Sequence, residues 1–147
     1  MTFINQIILS SFILSFTVFS QNIDLADKYF KQKDFNNAQI EYLRAANMGN
    51  VRAYYRLADI YLHGLGRNKD EVTAMLWLSL AAEHDYRESK KILTRLYSKL
   101  NKTQLTIIEK VTATFIAKRG KHHVSSQYEP EILNENITSK INMVLYD

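Results

Sequence analysis

Apolar residues recur at three- and four-residue steps along most of this chain of 147 residues, the stripe of a helix that packs one side against its neighbours. Leu25, Ala26 and Tyr29 fall on one face of a first helix, and Phe35, Ala38, Tyr42, Ala45 and Ala46 mark a second. The stretch AYYRLADIYLHGLGRNKDEVTAMLWLSLAAEHD, from Ala53 to Asp85, predicts two more amphipathic helices around a glycine loop, Gly64-Leu65-Gly66. Leu93, Leu96, Tyr97 and Leu100 carry the stripe into a fifth helix, and Leu105, Ile108, Val111, Thr112 and Phe115 into a sixth. The punctuation agrees with these elements. Asp34 and Asp70 are N-caps, with Thr73 where a capping box prefers Glu; Asn101 followed by Gln104 is a reciprocal cap; Gly49 supplies a left-handed stop. His63 and His84 end helices, where imidazole suits the dipole.

The elements also repeat. A step of 36 residues takes Ala38 to Ala74, Ala45-Ala46 to Ala81-Ala82, Ala53 to Ser89, Leu57 to Leu93 and Tyr61 to Tyr97. A period of this size predicts a solenoid of helix pairs, each burying its small and aromatic residues against the next. The expected units are 22–49, 50–85 and 86–119, followed by a polar tail, 120–147, that holds the sole proline, Pro130, and a short helical pattern near 132–144. The second unit lengthens its inner turn: Tyr29 precedes Ala38 by nine residues but Tyr61 precedes Ala74 by thirteen, an insertion of four that holds Gly64 and Gly66.

YFKQKDFNNAQIEYLRAA in the first unit resembles a tetratricopeptide repeat, with Lys33 where that family's turn usually has Gly. The second unit resembles the Sel-one-like repeat, a subfamily of the tetratricopeptide-like superhelices. The matching positions are Ala53, Leu57, Tyr61, Gly64, Gly66, Asp70, Ala74, Trp77, Ala81 and Ala82, while Arg67 replaces the usual Val and Asp85 the usual Gly. The third unit lacks the double Ala and the Trp and resembles the degenerate cap that closes such arrays. The resemblance implies an all-α fold, a right-handed α-α superhelix of about three helix pairs.

At the other end, the first twenty residues carry no charged side chain and Ile7 to Phe19 is almost wholly apolar. That run is shorter than the roughly 20 residues a membrane span needs. It predicts a signal peptide over 1–20, cut between Ser20 and Gln21, and hence a periplasmic or secreted protein. No Lys or Arg precedes the run, so a retained membrane anchor or a buried first helix stays open. With no Cys, the chain has no lipidation site after the leader and no disulfide framework.

The absence of cysteine also excludes a thiol nucleophile, and the sequence has no G-x-S-x-G, H-E-x-x-H or phosphate-cradling glycine loop. Gly64-Leu65-Gly66 lacks the strand and third glycine of a dinucleotide site. His122-His123 has no carboxylate or thiolate at ligand spacing, so no metal and no cofactor is expected. Some cysteine-rich relatives within the resemblance bind or hydrolyse β-lactams; this chain lacks their cysteines, and an enzyme of that type is the weakest reading. Trp77, one turn from both Ala74 and Ala81, reads as core.

What remains is a surface. In superhelices of the resembled kind the first helix of each pair lines a concave groove. The resemblance assigns to it Asp27, Phe30 and Lys31 in the first unit, Arg52, Tyr55, Asp59, Leu62 and His63 in the second, and Glu88, Lys91, Arg95 and Lys99 in the third. From Arg87 to Lys121 ten basic residues stand against Glu88 and Glu109. Lys91, Arg95 and Lys99 recur at four-residue steps, a predicted row along one helix. The expected partner is a protein or peptide with an acidic portion; export argues against nucleic acid, and a membrane enters only if the leader is retained.

Overall fold

The computed structural model describes residues 23–119 and, beyond them, Met143. The leader, the polar tail and His122-His123 lie outside the described residues. Within them the chain is all-helical, with no strand. Six helices follow one another: α1 over 23–31, α2 (Phe35–Asn47), α3 (Val51–His63), α4 (Glu71–Glu83), α5 (Ser89–Tyr97) and α6 (Lys102–Arg119). In packing, α1 meets α2 and α3 meets α4, while α5 and α6 each pack on α4. Contacts of α2 with α3 and of α4 with α5 join one pair to the next, as in an α-α solenoid.

The 36-residue step is a step in packing. Ala38 and Ala74, Ala53 and Ser89 are each fully buried, and Leu57 and Leu93 are both core residues. Small side chains at these places let the helix backbones approach closely. Between α1 and α2 the turn is three residues, 32–34; between α3 and α4 it is seven, 64–70, so the predicted insertion is a longer loop. Gly64 caps α3 in the left-handed region (φ 64°), and Gly66 does something else besides (φ 70°). A Cβ on Gly66 would stand 2.9 Å from the Phe35 Cβ, so the loop rests against the start of α2 where only glycine fits.

Helix starts follow the sequence closely. The Asp34 carboxylate accepts from the Asn37 N–H (3.3 Å), and Asp70 accepts both the Thr73 N–H (3.0 Å) and its hydroxyl (2.7 Å). The Asp70 N–H, which a Glu at position 73 would accept, goes instead to the Tyr61 carbonyl at 2.9 Å. Asn101 and Gln104 make the full reciprocal box at 2.9 and 2.8 Å. Asn50, a cap the pattern had not singled out, accepts from the Ala53 N–H at 3.1 Å.

Two sequence expectations change. The fourth helix is not amphipathic: every residue from Val72 to Ala81 is buried. The cause is tertiary, since α4 packs against α3, α5 and α6 and has no side left for solvent. In α1 the buried stripe is Ile23, Ala26 and Asp27, while Leu25 is exposed. The helical face turns a carboxylate inward and a leucine outward because three polar partners from α2 and α3 meet the carboxylate.

Trp77 is fully buried at the centre. Its ring stacks on Tyr54 of α3 (5.9 Å between centroids, 25° between planes) and meets the edge of Phe115 of α6 (5.2 Å, 89°). One side chain therefore joins the second pair internally and ties it to the third. Its indole N–H has no hydrogen-bond partner among the described residues, so its contribution is burial and ring contact.

Candidate partner-binding face

The site begins at Asp27. This carboxylate is buried, accepts a 2.6 Å hydrogen bond from the Tyr42 hydroxyl of α2, and pairs with Arg52 and, at 3.8 Å, with Arg56 of α3. Burial, then the hydrogen bond to Asp27 and its negative charge, push the Tyr42 phenol well above the ordinary tyrosine range. Tyr42 is therefore a neutral donor, and Asp27 an acceptor held between two helices. The Arg56 guanidinium also lies over the Phe30 ring, 4.9 Å from its centroid, and reaches Asp59 at 3.8 Å. Phe30 in turn meets Phe35 and Tyr42 edge-on, at 5.4 and 6.2 Å.

These contacts place the sequence-assigned residues in distinct roles. Asp27, assigned to the groove, is an internal anchor, because its oxygens are already committed to Tyr42 and two arginines. Phe30, Tyr55 and Leu62 are half-buried and pack partly against the core. Asp59 pairs along its own helix with Arg56 and, at 3.4 Å, with His63. Lys31 and Arg52 stand exposed and together line an open hollow of about 450 Å³ between α1 and α3, with Asp24, Asp27, Lys28 and Gln32.

Further along, Tyr55 of α3 meets Tyr86 of the α4–α5 turn, ring centroids 5.6 Å apart. Arg87 donates from Nε to the Tyr86 hydroxyl (3.0 Å), and its guanidinium lies 5.3 Å from the Tyr86 centroid and 5.9 Å from that of Tyr55. Asp85 and Arg87, on either side of Tyr86, both have positive φ, 51° and 48°. The turn that presents this pair is held in a conformation L-residues disfavour. Arg87 also explains why α5 is short. It stands one 36-residue step after Val51, the first residue of α3, yet α5 begins only at Ser89, whose hydroxyl donates to the Tyr86 carbonyl at 2.6 Å.

The predicted row of three cations is reduced to two. Lys91 and Arg95 are exposed on α5, but the helix ends at Tyr97 and Lys99 lies in the turn before α6. There its ammonium approaches Glu71 at the start of α4 (3.6 Å), which Lys69 also binds (2.7 Å). The hydrogen bond from Lys69, with the charges of both lysines, holds the Glu71 carboxyl below its ordinary range. Glu88 precedes α5, exposed and without a side-chain cap bond. Sequence reasoning did not assign Arg56, Tyr86 or Arg87 to the face. Arg56 was signalled by its spacing, four residues after Arg52 and three before Asp59 on one helix face. Tyr86 and Arg87 carried no periodic signal, since they lie in a turn.

The repeat signature sits behind this face. Ala53, Leu57, Ala74, Trp77 and Ala81 are fully buried, Tyr61 is nearly so, and Ala82 is half-buried. Arg67 stacks its guanidinium on the Tyr61 ring at 3.9 Å. Among the described residues no group of three or more His, Asp or Glu side chains is placed to hold a metal ion, and no helix is long and apolar enough to cross a membrane.

Antiparallel helix pairs stacked through small residues define a helical-repeat protein. Within that class, the family model of the Sel1 repeat matches residues 51–86. The second helix pair with its glycine loop thus matches the Sel1 repeat, which is consistent with a Sel1-like repeat protein of the tetratricopeptide-like superfamily and suggests a protein-interaction module. No curated protein and no solved structure matched the chain.

Proposed function

We propose that this chain is an exported, non-catalytic interaction module that receives a peptide or protein segment with an acidic portion along the concave face of α1, α3 and α5. The observation that carries the reading is the continuity of that face. Two clusters of ring and ion contacts, Phe30 and Asp27 with Arg52 and Arg56, and Tyr55 with Tyr86 and Arg87, share α3 as their common element and draw on all three units. Aromatic and arginine side chains are enriched among the residues that dominate interface energetics, because rings bury large area with few rotatable bonds and a guanidinium offers five donors and a planar face. The cations outnumber the carboxylates: Lys28, Lys31, Arg52, Arg56, Arg87, Lys91 and Arg95 against Asp24, Asp27, Asp59 and Glu88. An acidic segment is the complementary partner.

The test is a capture from cells exporting the full chain, by crosslinking and co-purification. It is repeated with Tyr55→Glu and Arg87→Glu together, and with Ile40→Glu on the exposed side of α2. The reading expects the first variant to lose the captured partner and the second to keep it. Equal retention by both variants would remove this face from the interaction. Export itself is tested by sequencing the N-terminus of the mature protein, which should begin at Gln21; a start at Met1 would make the protein an anchored adaptor.

A further inference from the structure

We infer that the hollow between α1 and α3 is the subsite for an acidic side chain, taking a glutamate or aspartate carboxylate of the bound segment on Lys31 and Arg52. This rests on the interaction reading above and locates its charge recognition. About 450 Å³ is within the roughly 300–1,000 Å³ of sites that enclose small ligands, ample for a carboxylate side chain and its neighbours. The charge inside is asymmetric. Asp27 lines the hollow but is already matched by Tyr42 and by two arginines. Lys28 and Lys31 are exposed and make no ion pair among the described residues. One carboxylate, Asp24, stands exposed at the rim.

Arg52 is what distinguishes this place from the basic surface of α5. A guanidinium carries five N–H donors in a planar fork and binds a carboxylate through two of them. Asp27, fixed by the Tyr42 hydroxyl, holds the Arg52 guanidinium through Nη2, while that side chain stays 43% exposed. Asp27 is thus a positioning residue. Its ion pair prepays the loss of rotamer freedom that an unheld arginine would suffer on binding. Among the described residues Lys91 and Arg95 of α5 have no such support behind them, Lys90 is paired with Asp85, and Lys99, past the helix end, turns to Glu71.

The experiment measures binding of a fluorescent hexaglutamate, acetylated and amidated so that only side-chain carboxylates are offered, to the full chain at low ionic strength. Two charge-matched variants are compared: Lys31→Gln with Arg52→Gln in the hollow, and Lys91→Gln with Arg95→Gln on α5. The hollow variant should weaken binding about tenfold or more, and the α5 variant less than about threefold. Lys28→Gln with Lys31→Gln leaves the Asp27–Arg52 pair intact. It should also weaken binding beyond the α5 variant, which covers the case in which removing Arg52 perturbs the fold. Equal losses in all variants, a larger loss on α5, or no binding of hexaglutamate by the parent chain would overturn the assignment. If Tyr55→Glu with Arg87→Glu abolishes partner capture while the hollow variants leave it intact, the subsite is wrong and the interaction face stands.

Discussion

Gly49 and Asp85 stand 36 residues apart and occupy the same structural place, the left-handed residue just past a helix, with φ 81° and 51°. Around each, the same two backbone bonds close the helix end: Gly49 N–H to Ala46 and Asn50 N–H to Ala45, then Asp85 N–H to Ala82 and Tyr86 N–H to Ala81, all at 3.0 Å. Lys33 (φ 61°) ends α1 with the same pair of bonds, to Phe30 and Tyr29. With Gly64 after α3, the described helices call for a left-handed residue just past their ends four times and are given glycine twice.

Substituting glycine at the other two places should therefore stabilise the protein. Lys33→Gly relieves a left-handed strain of about 1 kcal/mol, partly offset by the freer unfolded chain, for a net gain of about 0.5 kcal/mol. Asp85→Gly should gain less, because it also removes the surface pair with Lys90. The reverse change, Gly49→Ala, meets nothing within 4 Å and should cost about 1 kcal/mol from backbone strain alone. Thermal unfolding followed by circular dichroism ranks the three; a fall in midpoint for Lys33→Gly would contradict the assignment.

Gly66→Ala should be costlier than Gly49→Ala, at about 2–3 kcal/mol. The added methyl would stand 2.9 Å from the Phe35 Cβ and 3.3 Å from the Asn36 Oδ1, adding overpacking to strain. Urea unfolding of the two variants side by side decides it, and equal midpoints would mean the long loop does not bear on α2.

At the core, Trp77→Ala should cost about 3–5 kcal/mol, and Ala74→Leu about 1–3 kcal/mol by forcing the helix pair apart. Trp77→Phe should cost only about 1–2 kcal/mol, because the indole N–H forfeits no hydrogen bond. A Phe variant as unstable as the Ala variant would show that the N–H is engaged.

The alkaline limb of stability should carry the signature of Tyr42. Burial and Asp27 raise its pKa above the ordinary value near 10.0, so the folded protein keeps the phenolic proton that the unfolded chain loses. Stability is then fully present below pH 10 and falls as pH rises further, by up to about 1.4 kcal/mol per pH unit for this one group. Tyr54, raised by its own burial, adds in the same direction. Tyr42→Phe should flatten the decline by about one proton in chemical denaturation at successive pH values; an unchanged slope would place the Tyr42 proton elsewhere.

The ladder of alanines, the glycine loop and the aspartate caps were legible in the sequence because each rests on local geometry: a small side chain at a fixed interval, a positive φ, a carboxylate at a helix start. The face was less so. Leu25 reads as core and Asp27 as surface on any pattern of apolar residues. Their exchange depends on Tyr42, Arg52 and Arg56 converging from α2 and α3, which no window around α1 contains. The total burial of α4 likewise comes from α5 and α6. The cation row failed at Lys99 because a helix end two residues earlier sends that side chain to Glu71.

The most direct measurement is a position-resolved photocrosslink in the exporting cell. A benzoylphenylalanine is placed singly at Lys31, Tyr55 or Lys91 on the proposed face, and at Ile40 or Thr114 on the exposed sides of α2 and α6. The account predicts one common adduct from the first three positions and none of that size from the last two. An adduct formed from Ile40 or Thr114 and absent from Tyr55 would contradict it.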